Sequence, residues 1–188
     1  IDKNYSDLKA VYEEFYKRNY KLGSELLLKI KLKDLNTDYN RKMYKFLNIK
    51  NNYYTKLIDK ETAVQQMLEL LDYPSILDKD ALSFIELSGI LFVQNHLISI
   101  GDFRITSHTY NILSNKDKFE MIGNKDHLLP FQISTIKSLG IVGKYSEALK
   151  MSENLIIDFE ASNALDIYAS SFYLKALSEH NLYNDNRH

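Results

Sequence analysis

Apolar residues recur at spacings of three and four along most of the chain. Leu8, Val11, Tyr12 and Phe15 form one such stripe. This spacing places apolar side chains on one face of a helix, whereas the two-residue alternation typical of strands is confined to short runs such as 29–33. The pattern therefore predicts an all-α fold. The predicted helices span residues 5–17, 21–34, 38–57, 61–72, 79–100, 103–114, 128–140, 144–159 and 163–180.

Short turns between these helices recur at a nearly constant interval. They are Arg18-Asn19-Tyr20, Asp59-Lys60-Glu61, Gly101-Asp102-Phe103, Gly143-Lys144-Tyr145 and Asn181-Leu182-Tyr183. Their first residues lie 41, 42, 42 and 38 positions apart, and a mostly small residue follows the turn at Gly23, Val64, Thr106 and Ala148. A fixed interval of this kind is typical of stacked helix pairs, whose second helix crosses the first closely. We therefore predict a single tetratricopeptide-like domain over residues 1–188, a right-handed solenoid of about four and a half helix pairs.

Composition narrows the classes of protein. The 188 residues include 24 Lys and Arg, 25 Asp and Glu, 6 Gly, 2 Pro and no Cys. Without cysteine there is no disulfide or thiolate metal scaffold, and the scarcity of glycine argues against phosphate-binding loops. No uninterrupted apolar run reaches the length of a membrane span, and no apolar leader begins the chain. We expect a cytoplasmic protein that does not contact a membrane.

Catalytic motifs are missing from the sequence. The five histidines form no His-Glu-x-x-His pair, and neither a Walker-type loop nor a Gly-x-Ser-x-Gly elbow is present. The paired carboxylates Glu13 and Glu14 are adjacent, so they point to different parts of a helix surface. We therefore predict a protein that is not an enzyme and that uses no cofactor or metal.

A solenoid of helix pairs offers a groove lined by the first helix of each pair, and such grooves hold peptides. Six residues before the later turns the sequence has Asn95, Lys137 and Lys175, and thirteen residues before them it has Ser88 and Tyr168. An asparagine can bond an extended peptide backbone through both its amide and its carbonyl group, and lysines can receive a carboxylate. We predict these five residues as the peptide-binding set, although solvated surface positions would show the same pattern.

The helix-pair array and the turn Gly143-Lys144-Tyr145-Ser146-Glu147-Ala148 resemble the peptide-pheromone receptors of Gram-positive bacteria and their phages. Residues 53–64, 91–95 and 99–103 are similar in pattern to the arbitrium-type receptors of Bacillus phages. The resemblance implies a sensor domain that binds a short secreted peptide, controls transcription and sets the choice between lysis and lysogeny.

The chain also departs from that family. We recognise no helix-turn-helix segment, so we expect DNA contact only through a separate domain outside this chain. The region that corresponds to the family's peptide-binding residues carries Ile141, Tyr145 and Asp166, and no family site residue is transferred.

Two other interpretations stay open. The same groove, or the C-terminal half repeat, would dock a helix of another protein in an adaptor or antagonist, and the half repeat would also suit a second copy of the chain. Residues 1–60 carry 14 Lys and Arg against 8 Asp and Glu, so nucleic-acid binding through residues 17–45 is a third interpretation.

Overall fold

The computed structural model describes the backbone of residues 3–115, 128–160 and 165–185 and the side chains of 4–115, 128–157 and 171–184. Over these residues the chain is helical and contains no β-strand, which confirms the all-α prediction. The chain divides into two compact units, Ile1–Ile76 and Leu77–His188.

The first unit contains four α-helices: α1 (Lys3–Tyr16), α2 (Tyr20–Leu27), α3 (Asp38–Tyr54) and α4 (Lys60–Leu71). A 3-10 helix, Leu32–Asp34, lies between α2 and α3, and another, Ser75–Asp78, follows α4. Helix α1 packs against α2 and α3, α2 also packs against α3, and α3 packs against α4. Each helix therefore contacts its successor, and the first also contacts the third.

The second unit repeats that order of contacts. Its described helices are α5 (Phe84–Ser99), α6 (Arg104–Leu113), α7 (Leu129–Ile141), α8 (Tyr145–Glu160) and α9 (Leu165–Asp185). Successive helices pack together in every case, and α5 contacts α7 while α7 contacts α9. The first members of the predicted pairs, α5, α7 and α9, thus lie side by side.

Five helices end on the same hydrogen-bonded turn. A residue with left-handed backbone follows each helix, at Arg18, Lys56, Asp72, Gly101 and Gly143, with φ between 56° and 79°. Its amide donates to the carbonyl three residues earlier, and the next amide donates to the carbonyl five residues earlier. This is the Schellman arrangement, which satisfies carbonyls that the last helical turn leaves open. In three of the predicted turns the left-handed residue is the first residue of the turn.

The other two predicted turns differ. The left-handed residue before α4 is Lys56, and Asp59 instead caps α4 by accepting a hydrogen bond from the Thr62 amide at 2.8 Å. The prediction of a turn at 181–183 is wrong, because α9 continues through these residues to Asp185. No residue of 181–183 takes a left-handed conformation, and the helical backbone continues through them.

A close crossing of helices explains the small residue after the first turn. Gly23 of α2 is buried against the ring of Phe15 in α1, and a Cβ at this position would overlap the ring. Val64, Thr106 and Ala148, at the corresponding positions, are also buried. The prediction that these positions face a neighbouring helix at short distance agrees with their burial.

Two further helix boundaries differ from the prediction by five residues or more. Helix α2 ends at Leu27 and not at residue 34, and Leu28 beyond it is 84% exposed. The residues that follow alternate apolar and polar, so a longer helix would gain no continuous apolar face. Helix α5 begins at Phe84 and not at residue 79, because Ser83 and Glu86 form a capping box.

Candidate functional site

Helix α5 presents few side chains to solvent. Its residues are mostly apolar; nine of its sixteen residues are buried and five more are half-buried. The exposed exceptions are Asn95 and Ser99, four residues apart and therefore on one face. Asn95 is thus accessible to solvent, and its role in peptide binding stays a prediction.

Helix α7, which packs against α5, has an open face of the same kind. Pro130 is half-buried, Lys137 is exposed and Ile141 is 66% exposed, while Thr135, Ile136 and Leu139 are buried. The spacing of seven and four residues places the open positions on one face of the helix. Lys137 lies six residues before Gly143, just as Asn95 lies six residues before Gly101, so the two residues occupy the same register on α7 and α5.

A buried amide joins these two helices next to Asn95. The Gln94 side chain is only 2% exposed. Its Nε2 donates to Thr106 Oγ1 of α6 at 3.4 Å, and its Oε1 accepts from Ser134 Oγ of α7 at 3.3 Å. Buried polar groups of this kind specify one arrangement of their neighbours, because other arrangements leave them unsatisfied. Gln94 was not among the predicted site residues, although a glutamine inside the most apolar helix was a visible signal.

Ser88 is buried, with 7% of its surface exposed. Its Oγ has no hydrogen-bond partner among the residues that the structure describes. It precedes Asn95 by seven residues, which places both on one side of α5. A buried hydroxyl without a hydrogen-bond partner destabilises the folded chain, so a ligand atom that bonds Ser88 Oγ would remove this cost.

Lys175 and Tyr168 come from α9. The ammonium of Lys175 lies 3.3 Å from a carboxylate oxygen of Glu153 on α8 and 3.8 Å from one of Glu179. Lys175 is therefore already paired, and a ligand carboxylate would have to displace or join these glutamates. The side chain of Tyr168 lies outside the described residues.

A lysine ammonium surrounded by three aromatic rings lies in the first unit, and this cluster was not predicted from the sequence. The Lys50 ammonium lies 5.3 Å from the ring centroid of Phe46, 5.7 Å from that of Tyr54 and 5.8 Å from that of Tyr12. These four residues are called the Lys50 cluster below. Burial among the rings lowers the pKa of Lys50 to about 8. No carboxylate pairs with this ammonium among the described side chains.

Two tyrosines of the first unit have raised pKa values. Burial, and secondarily Tyr20, raises the pKa of Tyr54 to about 12. Tyr20 stacks on Tyr54 with their ring centroids 4.1 Å apart. Burial, with a smaller effect of Tyr5, raises the pKa of Tyr39 to about 12. Both phenols therefore stay neutral at physiological pH and act as hydrogen-bonding or packing groups.

The part of the chain that the structure describes contains neither a metal-ligating cluster nor a membrane-spanning helix. Within residues 3–115, 128–160 and 165–185, no three His, Asp or Glu side chains are placed to share a metal ion. None of the helices in these ranges combines the length and apolar character that crossing a bilayer demands.

Comparison of the chain with protein-family models, with curated proteins and with solved structures finds no match.

Proposed function

We propose that this chain is a non-catalytic regulatory sensor that binds a short peptide on the face shared by α5 and α7. In this proposal the helices form a tetratricopeptide-like right-handed solenoid, and the bound peptide alters its curvature or its association with a partner. The proposed setting is that of the peptide-pheromone receptors: a cytoplasmic regulator of transcription whose DNA contacts are made by a separate domain.

The order of helix contacts supports the solenoid. In each unit a helix packs on the next helix, and the first helices of successive pairs also pack together. Tetratricopeptide-like repeats bury their apolar faces in this order, and the first helices then line one surface. The Schellman turn follows the first helix of each of four pairs, at Arg18, Lys56, Gly101 and Gly143, so the two helices of each pair are connected in a similar way.

The observation that carries the proposal is the position of Asn95 and Lys137. Each is an exposed polar residue on a helix whose other described positions are largely buried. The two residues occupy the same register on adjacent helices, and the Gln94–Ser134 hydrogen bond ties those helices together beside them. A polar ladder on a fixed surface is what an extended peptide backbone requires, because its amides and carbonyls need partners at regular intervals.

Each predicted residue has a definite role in the proposal. Asn95 bonds the peptide backbone, and Lys137 receives a carboxylate of the peptide. Ser88 provides its unpartnered hydroxyl. Lys175 contributes through its ion pair with Glu153, which a peptide carboxylate would loosen.

The experiment is a binding titration with a synthetic library of peptides of five to ten residues that carry free C-terminal carboxylates. Truncation of Asn95 to alanine removes a hydrogen-bonding group, which costs about 1–3 kcal/mol when its peptide partner is left unsatisfied. We expect Asn95→Ala to weaken binding of the selected peptide by about 5- to 150-fold. Lys137→Ala should weaken peptides with a free carboxylate more than their C-terminal amides.

Matched controls lie on α8. Asn154→Ala and Lys150→Ala remove exposed side chains of the same two types from a second helix of a pair. We expect both controls to bind the peptide as the unaltered chain does. Equal losses in the α8 variants and the α5 and α7 variants would refute this face as the binding site.

The alternative function, a protein–protein adaptor or antagonist, is favoured by the surface of α9. Several large apolar side chains are exposed there, namely Phe172 (43%), Tyr173 (67%), Leu177 (43%) and Tyr183 (66%). An apolar helix face of this kind suits a partner helix or a second copy of the chain. Light scattering separates the two functions: a molar mass that changes with the selected peptide supports the sensor, and a mass indifferent to every peptide supports the adaptor.

A further inference from the structure

The Lys50 cluster places a cation in a box of aromatic rings without an anion. Lys50 and Phe46 are four residues apart on α3, as are Lys50 and Tyr54, so the three lie along one face of that helix. Tyr12 closes the box from α1, which packs against α3. Phe46 is almost fully buried, whereas Tyr12, Lys50 and Tyr54 are only partly buried. The cluster is therefore open to solvent on one side.

The rings stabilise the ammonium but do not neutralise it. An ammonium within about 6 Å of a ring centroid is attracted by the ring's quadrupole. A carboxylate at contact distance would interact more strongly in such surroundings. Burial lowers the pKa of Lys50. Among the described side chains, no carboxylate forms an ion pair that would offset this loss of solvation.

The surroundings of the cluster favour an anion with an apolar group attached. The exposed residue Arg18 lowers the pKa of Tyr54, so a second positive charge acts on this region. Tyr16 is 67% exposed, and its ring stacks on Tyr12 with the centroids 6.4 Å apart. The titratable groups around the cluster include the phenols of Tyr12, Tyr20, Tyr53 and Tyr54 and the guanidinium of Arg18. Among the described side chains, no carboxylate forms an ion pair with Lys50.

We propose that the Lys50 cluster is a binding site for a carboxylate that adjoins an aromatic or aliphatic side chain, as at the C terminus of a peptide. The ligand carboxylate pairs with the Lys50 ammonium, and its side chain packs on the exposed ring of Tyr16. This site lies in the first unit, so it is independent of the proposed function of the α5–α7 face.

The probe is N-acetyl-L-phenylalanine, with its amide as the uncharged comparison and phenylacetate as a free aromatic acid without a peptide group. Binding is followed in the full chain by NMR of the Lys50 ε-methylene resonance across a pH series. We expect N-acetyl-L-phenylalanine to bind at least tenfold more tightly than the amide and to raise the pKa of Lys50 toward that of a free lysine. Binding of phenylacetate with equal affinity would assign the site to aromatic acids in general, and weaker binding would assign it to peptide termini.

Variants of two lysines on the same helix test the residue. Lys50→Met replaces the cation by an uncharged chain of similar length and should abolish binding of the carboxylate probe. Lys50→Arg keeps the charge and should retain binding. Lys45→Met removes an exposed lysine from α3 and should bind as the unaltered chain does. Equal affinity for the acid and the amide, an unmoved Lys50 resonance, or full binding by Lys50→Met would each overturn the proposal.

Discussion

Lys50 should make the stability of the chain depend on pH between about 8 and 10. Folding lowers the pKa of this lysine to about 8 because the aromatic rings exclude water from the ammonium. An unfolded lysine has a pKa of about 10.4. Between these two values the unfolded chain binds the proton that the folded chain has released, so the free energy of unfolding rises with pH.

The size of the effect follows from the two pKa values. One pKa unit corresponds to about 1.4 kcal/mol, so the full difference is worth about 3 kcal/mol. By pH 10 most of it, about 2–3 kcal/mol, should be gained relative to pH 7. Above pH 10 the sign reverses, because Tyr39 and Tyr54 stay protonated in the folded chain up to about pH 12 while unfolded tyrosines ionise near pH 10. Stability should therefore reach a maximum near pH 10.

The assay is urea unfolding at pH 7, 8, 9 and 10, followed by far-ultraviolet circular dichroism. Lys50→Met removes the titrating group and should flatten the rise between pH 8 and pH 10. It should also be more stable than the unaltered chain at pH 7, because it buries no charge. The control Lys45→Met, at an exposed position on α3, should keep the unaltered slope. An equal slope in Lys50→Met and the unaltered chain would refute the assignment of the pH dependence to this lysine.

Two further predictions concern the second unit. Gly143 has φ +76° with open space around it, so Gly143→Ala should lower the free energy of unfolding by about 1 kcal/mol through backbone strain alone. Gly140 lies three residues earlier in α7 and is also in open space, but its backbone is helical. Gly140→Ala should therefore raise the free energy of unfolding by about 0.5–1 kcal/mol in the same urea titration. Opposite signs in the two variants are required, and a loss in both would contradict the strain argument. The buried Glu86 accepts hydrogen bonds from the Ser83 amide and hydroxyl at 2.8 Å and from the Lys79 ammonium at 2.6 Å. Glu86→Ala should therefore lower the free energy of unfolding by about 1–3 kcal/mol. Glu61→Ala, at an exposed position in the first turn of α4, should lower it by less than about 0.5 kcal/mol. If Glu86→Ala lowers the free energy of unfolding no more than Glu61→Ala does, the cap and the ion pair of Glu86 contribute little to stability.

Helix positions were largely predictable from the sequence because the three-and-four spacing of apolar residues is local information. The start of α5 was also readable, since Ser83 and Glu86 have the spacing of a capping box, but the prediction extended the apolar pattern past it. The end of α2 was harder to predict. Residues 28–33 have good helix formers, and only the lack of a continuous apolar face separates them from the helix before them.

The candidate sites show the same division between local and tertiary information. Register counting placed Asn95 and Lys137 on their exposed faces because a helix repeats its faces every three to four residues. The same counting could not show that Lys175 is paired with Glu153, because that contact joins two helices. It also could not separate Lys50 from the other lysines of the first 60 residues. Its spacing of four from Phe46 and Tyr54 was visible, but its burial depends on Tyr12 from α1.

The chemistry of the described surfaces separates the candidate functions. A site for one defined peptide needs fixed polar groups, because discrimination arises when a wrong ligand leaves such groups unpaired. In the proposed peptide site, such groups are supplied by Asn95, Lys137 and the buried Gln94, whose hydrogen bonds fix its side chain. The exposed face of α9 has aromatic and aliphatic side chains, which tolerate many partners and gain free energy by leaving water. If the peptide binds and the α9 face packs against a partner, we expect α7 and α9 to couple the two events, because these helices are in contact.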